Sequence, residues 1–246
     1  VTDVYRRRIR VVEREGAAFG ALEDDAHHVR ATIRHDRAQV TAASGEAVRL
    51  PWVTCPGSAA GIASLVGSPL AAVIRSGHDA YRPELHCTHM FDLAQLTVAQ
   101  AARGTGARQY DIAVELPGDD GIMRAAVDRD GERVLVWTID HGTVTTPGPF
   151  EHAELHLGFR RRCHGLDDDA AEAALVLRRG AWLAPISTMR FDDYDRVGPT
   201  GLPLGSCWTA QPERIEVAFR NQGSQRDYAA DPDAMLAGFD EYCATP

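Results

Sequence analysis

Hydrophobic and polar positions change their period several times along the chain, and each change predicts an element. Arg7–Arg14, Ala18–Glu23, His28–His35 and Ala38–Ala42 show partial two-residue alternation, broken by Gly, Asp-Asp and His-Asp turns. That pattern predicts short strands. A helical stretch then runs from about Ser58 to Val66, and Gly67–Ser68–Pro69 breaks it. A second helix is expected over Leu70–Arg75. The clearest helix spans Thr88–Arg103, where Met90, Leu93, Ala94, Thr97, Val98 and Ala101 recur at i, i+3, i+4 and Gly104 closes the run.

Strand-like runs resume at Gln109–Leu116, Ile122–Val127 and Arg133–Ile139, with a turn at Asp130–Gly131. Phe150–Phe159 alternates and reads as another strand. Asp167–Arg179 reads as a helix with three acids at its start, where the helix dipole favours them. From Gly198 the chain is rich in Gly and Pro, apart from the apolar run Ile215–Phe219. The expected fold class is α+β: two related sheet-and-helix units, 1–104 and 105–246, forming one continuous domain with a joint at Gly104–Thr105–Gly106. A faint echo supports the pairing. Thr32–Ile33–Arg34–His35 precedes Cys55, and Thr138–Ile139–Asp140–His141 precedes Cys163. An internal duplication would account for it, and so would chance.

Composition narrows the chemistry. All 26 basic residues are arginine, so a Walker-type phosphate loop and a pyridoxal phosphate Schiff base both lack their lysine. Gly-x-Gly-x-x-Gly, Gly-x-Ser-x-Gly and His-Glu-x-x-His are absent too, which leaves no nucleotide loop, serine elbow or zincin helix. A net charge of -9 disfavours duplex nucleic acid as a partner. No apolar run approaches 18 residues, so no membrane span is expected. Five scattered Cys suit reduced thiols in a cytoplasm better than a disulfide framework.

Ten His and five Cys carry the remaining candidates. Cys55 and Cys87 each stand before a predicted helix, and His89 lies in the first turn after Cys87. Helix-start amides lower a thiol pKa, so both cysteines are expected to lean towards thiolate. The same residues could instead be small buried hydrophobes. Between Arg7 and Arg103 the chain resembles a bacterial family known as domain of unknown function 2889. The resemblance rests on His27 in His27–His28–Val29, on Cys55–Pro56, on Leu65–Val66–Gly67, and on Cys87–Thr88–His89–Met90. It nominates His27, Cys55, Cys87 and His89 as catalytic, and implies no activity. This sequence departs from the pattern at His28, where the family is expected to carry an acid. Cys55–Pro56–Gly57–Ser58–Ala59 and His86–Cys87 are also similar to iron–sulphur scaffolds of the NifU type. The scaffold's earliest Cys is missing, and His27 and His28 lie roughly in its place.

A rival site is His152–Ala153–Glu154–Leu155–His156. On a strand, both imidazoles and the carboxylate share one face, the ligand set of several zinc and non-haem iron sites. Ala153, Leu155 and Leu157 would face the other way. Arg160 and Arg162 could hold an anionic substrate beside it. Asp192, Asp193 and Asp195 read as a surface loop, since the calcium-loop pattern is not met. Gly205–Ser206–Cys207–Trp208–Thr209, with Arg214, Arg220, Ser224 and Arg226, could supply a thiol and anion contacts or simply pack.

The expected function is a small-molecule enzyme of lyase, isomerase or hydrolase type. Its pocket would be lined by His and Cys and act on an anionic metabolite, with zinc or iron as the cofactor such ligand sets take. The alternatives are a metal or iron–sulphur carrier without turnover and a non-catalytic interaction domain. Oligomeric state is open, a homodimer among the options.

Overall fold

The computed structural model describes residues 4–76, 80–156 and 158–244. The protein is α+β. Strands β1 (Val4–Arg14), β2 (Ala17–Asp24), β3 (His28–His35) and β4 (Val40–Arg49) come first. A 3₁₀ segment (Cys55–Leu65), helix α1 (Leu70–Ser76) and helix α2 (Thr88–Arg103) follow. Strands β5 (Gly106–Glu115), β6 (Ile122–Arg129), β7 (Glu132–Asp140) and β8 (Thr143–Val144) precede helices α3 (Phe159–Arg162) and α4 (Asp168–Leu183). Helix α5 (Phe239–Ala244) ends the described chain. The hydrogen-bonded strand order is β4-β3-β2-β1-β5-β6-β7-β8. The pairs β2–β3, β3–β4, β5–β6, β6–β7 and β7–β8 are antiparallel. Among the described residues no helix is long and apolar enough to cross a membrane.

Contacts divide the chain into two units, and the division falls inside β1. One unit gathers Ile9–Arg108, Arg190–Arg226 and the chain from Met235 onward. The other gathers the chain up to Arg8, Gln109–Met189 and Asp227–Ala234. The tail is therefore distributed between units, and most of it joins the one that holds β2, β3, β4 and α2.

In that unit β2 is buried along its whole length, because both of its faces are covered. Gly20 turns towards α2: a Cβ there would lie 2.2 Å from Thr97 Oγ1 and 3.0 Å from Leu93 Cδ1. Alternation places Ala18, Leu22 and Asp24 on the same face. Ala17, Phe19 and Ala21 face the other way and pack with Leu236, Phe239 and Cys243. A strand buried on both faces shows no clean hydrophobic-polar alternation, which is why this one read only partially. On β4 a Cβ at Gly45 would lie 2.9 Å from Ala59 O and 3.0 Å from Met90 Sδ, so the 3₁₀ segment can press directly on the strand.

The other unit stacks α4 on its strands. Gly180 permits the approach, since a Cβ there would lie 2.6 Å from Ile112 Cγ2. Asp167 caps α4 by accepting from Ala170 N at 2.8 Å. Trp137, Phe150 and Phe159 form a buried aromatic cluster. Among the described residues the strand expected over Phe150–Phe159 is not formed. Residues 150–156 are a loop with one bridge, Glu154 to Thr143, and His152 takes a left-handed φ of 62° that interrupts extended backbone. Leu157 lies outside the described residues. The cysteines of the sequence echo hold unlike places: Cys55 opens the 3₁₀ segment, whereas Cys163 caps the end of α3.

Candidate metal site

The β2–β3 hairpin turns through Asp24–Asp25–Ala26–His27, closed by Asp24 N donating to His27 O at 2.8 Å. The Asp24 carboxylate locks the turn from within. Its Oδ1 accepts from Ala26 N at 3.0 Å and His27 N at 2.8 Å, a geometry to which aspartate is suited. Oδ1 also lies 3.2 Å from His27 Nδ1. Oδ2 lies 3.6 Å from His89 Nε2.

His89 reaches this turn because α2 packs on the Asp24 face of β2 and begins one residue before it. The helix is capped by Cys87 in extended conformation. The rings of His27 and His89 stack at 3.6 Å between centroids and 18° between planes. On its other side, His89 Nδ1 lies 3.3 Å from Thr88 Oγ1 and 3.8 Å from Cys87 Sγ. His89 thus meets Thr88 and Cys87 through Nδ1 and the Asp24 carboxylate through Nε2. Asp24 and His89 are buried and His27 is half-buried. One donor atom from each lies within 4.8 Å of the others.

Behind the turn, Glu23 and His28 face the opposite side of the hairpin. They are cross-strand partners, and His28 Nδ1 lies 3.5 Å from Glu23 Oε1. Burial pushes the His28 pKa down; Glu23 opposes this, and the charges of Arg30 and Arg49 reinforce it. Glu23, His28, Arg49, Ser224 and Arg226 line an open cleft of about 470 Å³.

The cysteines depart from expectation. Cys55 and Cys87 do open helical segments, but neither favours thiolate. Burial pushes the Cys55 thiol up to about 12, although its contact with Thr209 pulls the other way. Cys87 is also raised, by burial first and then by the neighbouring Cys55 thiol. The amides of Met90 and His89 act on Cys87 in the expected direction and are outweighed. Cys55 Sγ sits 3.1 Å from Thr209 Oγ1. Thus Cys87 touches the His89 imidazole while Cys55 packs under the tail.

That tail segment is the Gly205–Thr209 motif. Trp208 N donates to His86 O at 3.0 Å, and its indole N–H donates to Thr54 O at 3.0 Å. The Arg214 guanidinium lies 3.7 Å over the Trp208 ring. His86 is a structural pin: Nδ1 accepts from Arg82 N at 3.0 Å, and Nε2 lies 3.2 Å from both Gly61 O and Ser64 Oγ.

In the rival set His156 Nε2 lies 3.7 Å from Glu154 Oε2, and His152 Nε2 lies 3.7 Å from Glu151 Oε1. His152, Glu154 and His156 are all exposed. Ala153 and Leu155 are buried between them, which is the polar-out, apolar-in arrangement of a surface segment. In α3, Arg160 is half-buried and Arg162 exposed. Asp192 pairs with the buried Arg220 at 2.7 Å, and Asp193 with Arg190 at 3.5 Å. Sequence reasoning nominated His27 and His89 and missed Asp24. The available signal was its place three residues before His27 in an acidic turn, but Glu23 and Asp25 flank it and nothing local distinguishes the three.

Residues 3–103 match the model of a family described as Protein of unknown function (DUF2889). The match bears out the resemblance read from the sequence, and the stretch contains Asp24, His27, Cys55, Cys87 and His89. A search among curated proteins finds no match.

Proposed function

We propose that this protein is a small-molecule enzyme whose reaction is assisted by one divalent metal ion, zinc or iron, held by Asp24, His27 and His89. The observation that supports it is the convergence of a carboxylate and two imidazoles, from a hairpin turn and a distant helix start, within 4.8 Å. Three protein ligands leave coordination positions open, and an ion so bound can polarise a carbonyl or phosphoryl oxygen or acidify a water. Lyase, isomerase and hydrolase chemistry all use such a centre. His89 is oriented from behind by Thr88 and Cys87, the kind of outer contact that fixes a ligand's tautomer. The raised thiols make Cys55 and Cys87 poor nucleophiles at neutral pH, which favours the metal ion over a thiolate as the centre of the reaction. Arg226 on the rim of the neighbouring cleft suits an anionic metabolite.

The test is metal binding by the full chain, measured by elemental analysis and by competition with a chromophoric chelator. The wild type is expected to hold about one equivalent of Zn²⁺. Asp24→Asn and His89→Ala are each expected to bind at least about tenfold more weakly, while His152→Ala is expected to bind as the wild type does. Wild-type protein that takes up no divalent ion, or an Asp24→Asn variant that binds normally, would overturn the proposal.

A further inference from the structure

We infer that Arg49 is the positioning residue of this metal site, and that through it the site depends on the tail segment Asn221–Arg226. The inference rests on the metal reading above and adds how the ligands are held.

Arg49 ends β4, opposite His28 at a register shift between β3 and β4. Its side chain is 11% exposed. NH1 donates to Asp25 O at 2.9 Å and to Ser224 O at 2.8 Å. NH2 donates to Asp24 O at 2.6 Å and His27 O at 3.4 Å, and contacts Glu23 Oε1 at 3.1 Å. Three of the four carbonyls belong to the Asp24–His27 turn, which carries two of the three proposed ligands. Glu23, at the foot of the turn, is anchored in turn by accepting from Leu236 N at 2.6 Å. From the tail, Arg226 N donates to Asp25 O at 2.8 Å. One guanidinium thus ties the turn to residues that lie outside the segment matched by the family.

Only arginine suits this task. Its planar fork offers several donors in fixed directions, whereas a lysine ammonium is a single point on a flexible stem. Without the fork, Asp24 O loses the Arg49 donor, while Asp25 O and His27 O keep the donors Arg226 N and Asp24 N and lose the link to β4, so the turn is free to shift. A metal site tolerates a ligand displacement of only about 0.5 Å.

Charge and position predict opposite outcomes here, which makes the inference testable. The Arg49 cation sits beside the turn, so by charge alone it repels a bound metal, and its removal should tighten binding. If Arg49 positions the ligands, its removal should weaken binding. Arg49→Lys keeps the charge and loses the fork; Arg49→Met loses both. The full chain of each is titrated with Zn²⁺ against a chromophoric chelator and with Co²⁺ by its visible spectrum, after circular dichroism has checked the fold without metal. Both variants are expected to bind Zn²⁺ at least about tenfold more weakly than the wild type, with an altered Co²⁺ band. Tighter binding by Arg49→Met, or wild-type affinity in Arg49→Lys, would overturn the inference. So would failure of both variants to fold, since Arg49 would then hold the structure and not specifically the site. A wild type that binds neither ion overturns the ligand set as well, whereas normal wild-type binding with unchanged variants removes Arg49 alone.

Discussion

Cys55 stands at a helix start, where amides acidify a thiol, yet its proton is held more firmly than in the unfolded chain. The balance is between a local dipole and loss of water, and full burial wins. The sign of the pH effect follows. The thiol ionises near 9.0 when unfolded and near 12 when folded. Between those values the unfolded state has released a proton that the native state retains, so stability is intact below pH 9 and falls as pH rises towards 12. The contribution is at most about 1.4 kcal/mol per pH unit. Urea unfolding of wild type and Cys55→Ala from pH 8 to 10.5 should show a shallower alkaline decline in the variant; parallel curves would contradict the burial argument. A second consequence concerns reactivity. Cys55, Cys87, Cys163 and Cys243 are buried and Cys207 is half-buried. A disulfide reagent at pH 8 should therefore modify Cys207 first, and Cys207→Ser should remove the fast phase. At this scale the sequence was only partly legible. Helix starts can be read from Cys55–Pro56 and Cys87–Thr88, but burial is a property of the tertiary structure. Asp24 was hidden for a related reason, since its partner His89 lies far along the chain.

Elements were legible in proportion to how one-sided their burial is. Helix α2 has a buried face towards β2 and β3, so its period shows in the sequence and its observed bounds match expectation. Strand β4 extends to Arg49, well past the expected Ala42, because Ala-Ser-Gly composition carries little strand signal. The Phe150–Leu155 segment taught the reverse. Its alternating burial is real, but alternation alone does not make a strand when the backbone turns left-handed at His152. The closeness of α2 to β2 depends on Gly20, and that can be tested. Gly20→Ala places a methyl 2.2 Å from the Thr97 hydroxyl, which is itself held by donating to Leu93 O at 2.8 Å. Overpacking at such a contact typically costs about 1–3 kcal/mol. Chemical denaturation should show a loss in that range. Because His89 rides on the same helix, metal affinity should fall too. A neutral Gly20→Ala would mean that the helix yields more easily than the packing implies.

At the scale of the whole molecule, the informative feature is that the tail is shared between the two units. A boundary does fall at Arg108/Gln109, but Arg190–Arg226 and the chain from Met235 return to the unit that carries the proposed metal ligands. Such a return depends on side chains meeting across the fold, and a Gly- and Pro-rich tail with little regular structure gives no periodic hint of it. Helix α5 shows how the return is fixed. Phe239 is buried beneath β2 among Val12, Phe19, Ala21 and Leu236. Tyr242 meets the Phe19 ring edge-on at 5.8 Å and shares a 2.7 Å hydrogen bond with Thr32. Leu236 N then donates to Glu23, one residue before Asp24. Truncating the aromatic anchor removes packing under the strand that leads into the ligand turn. Phe239→Ala should destabilise the protein by about 3–5 kcal/mol, the cost of emptying a buried phenylalanine site. Tyr242→Phe, which deletes only the hydroxyl, should lose about 1 kcal/mol. The pair is read by urea midpoint. The ratio between the two losses is the informative quantity, since it separates apolar anchoring from the hydrogen bond. If Phe239→Ala costs no more than Tyr242→Phe, α5 is a peripheral attachment, and the hold of the tail on the ligand turn rests on Ser224, through Arg49, and on Arg226.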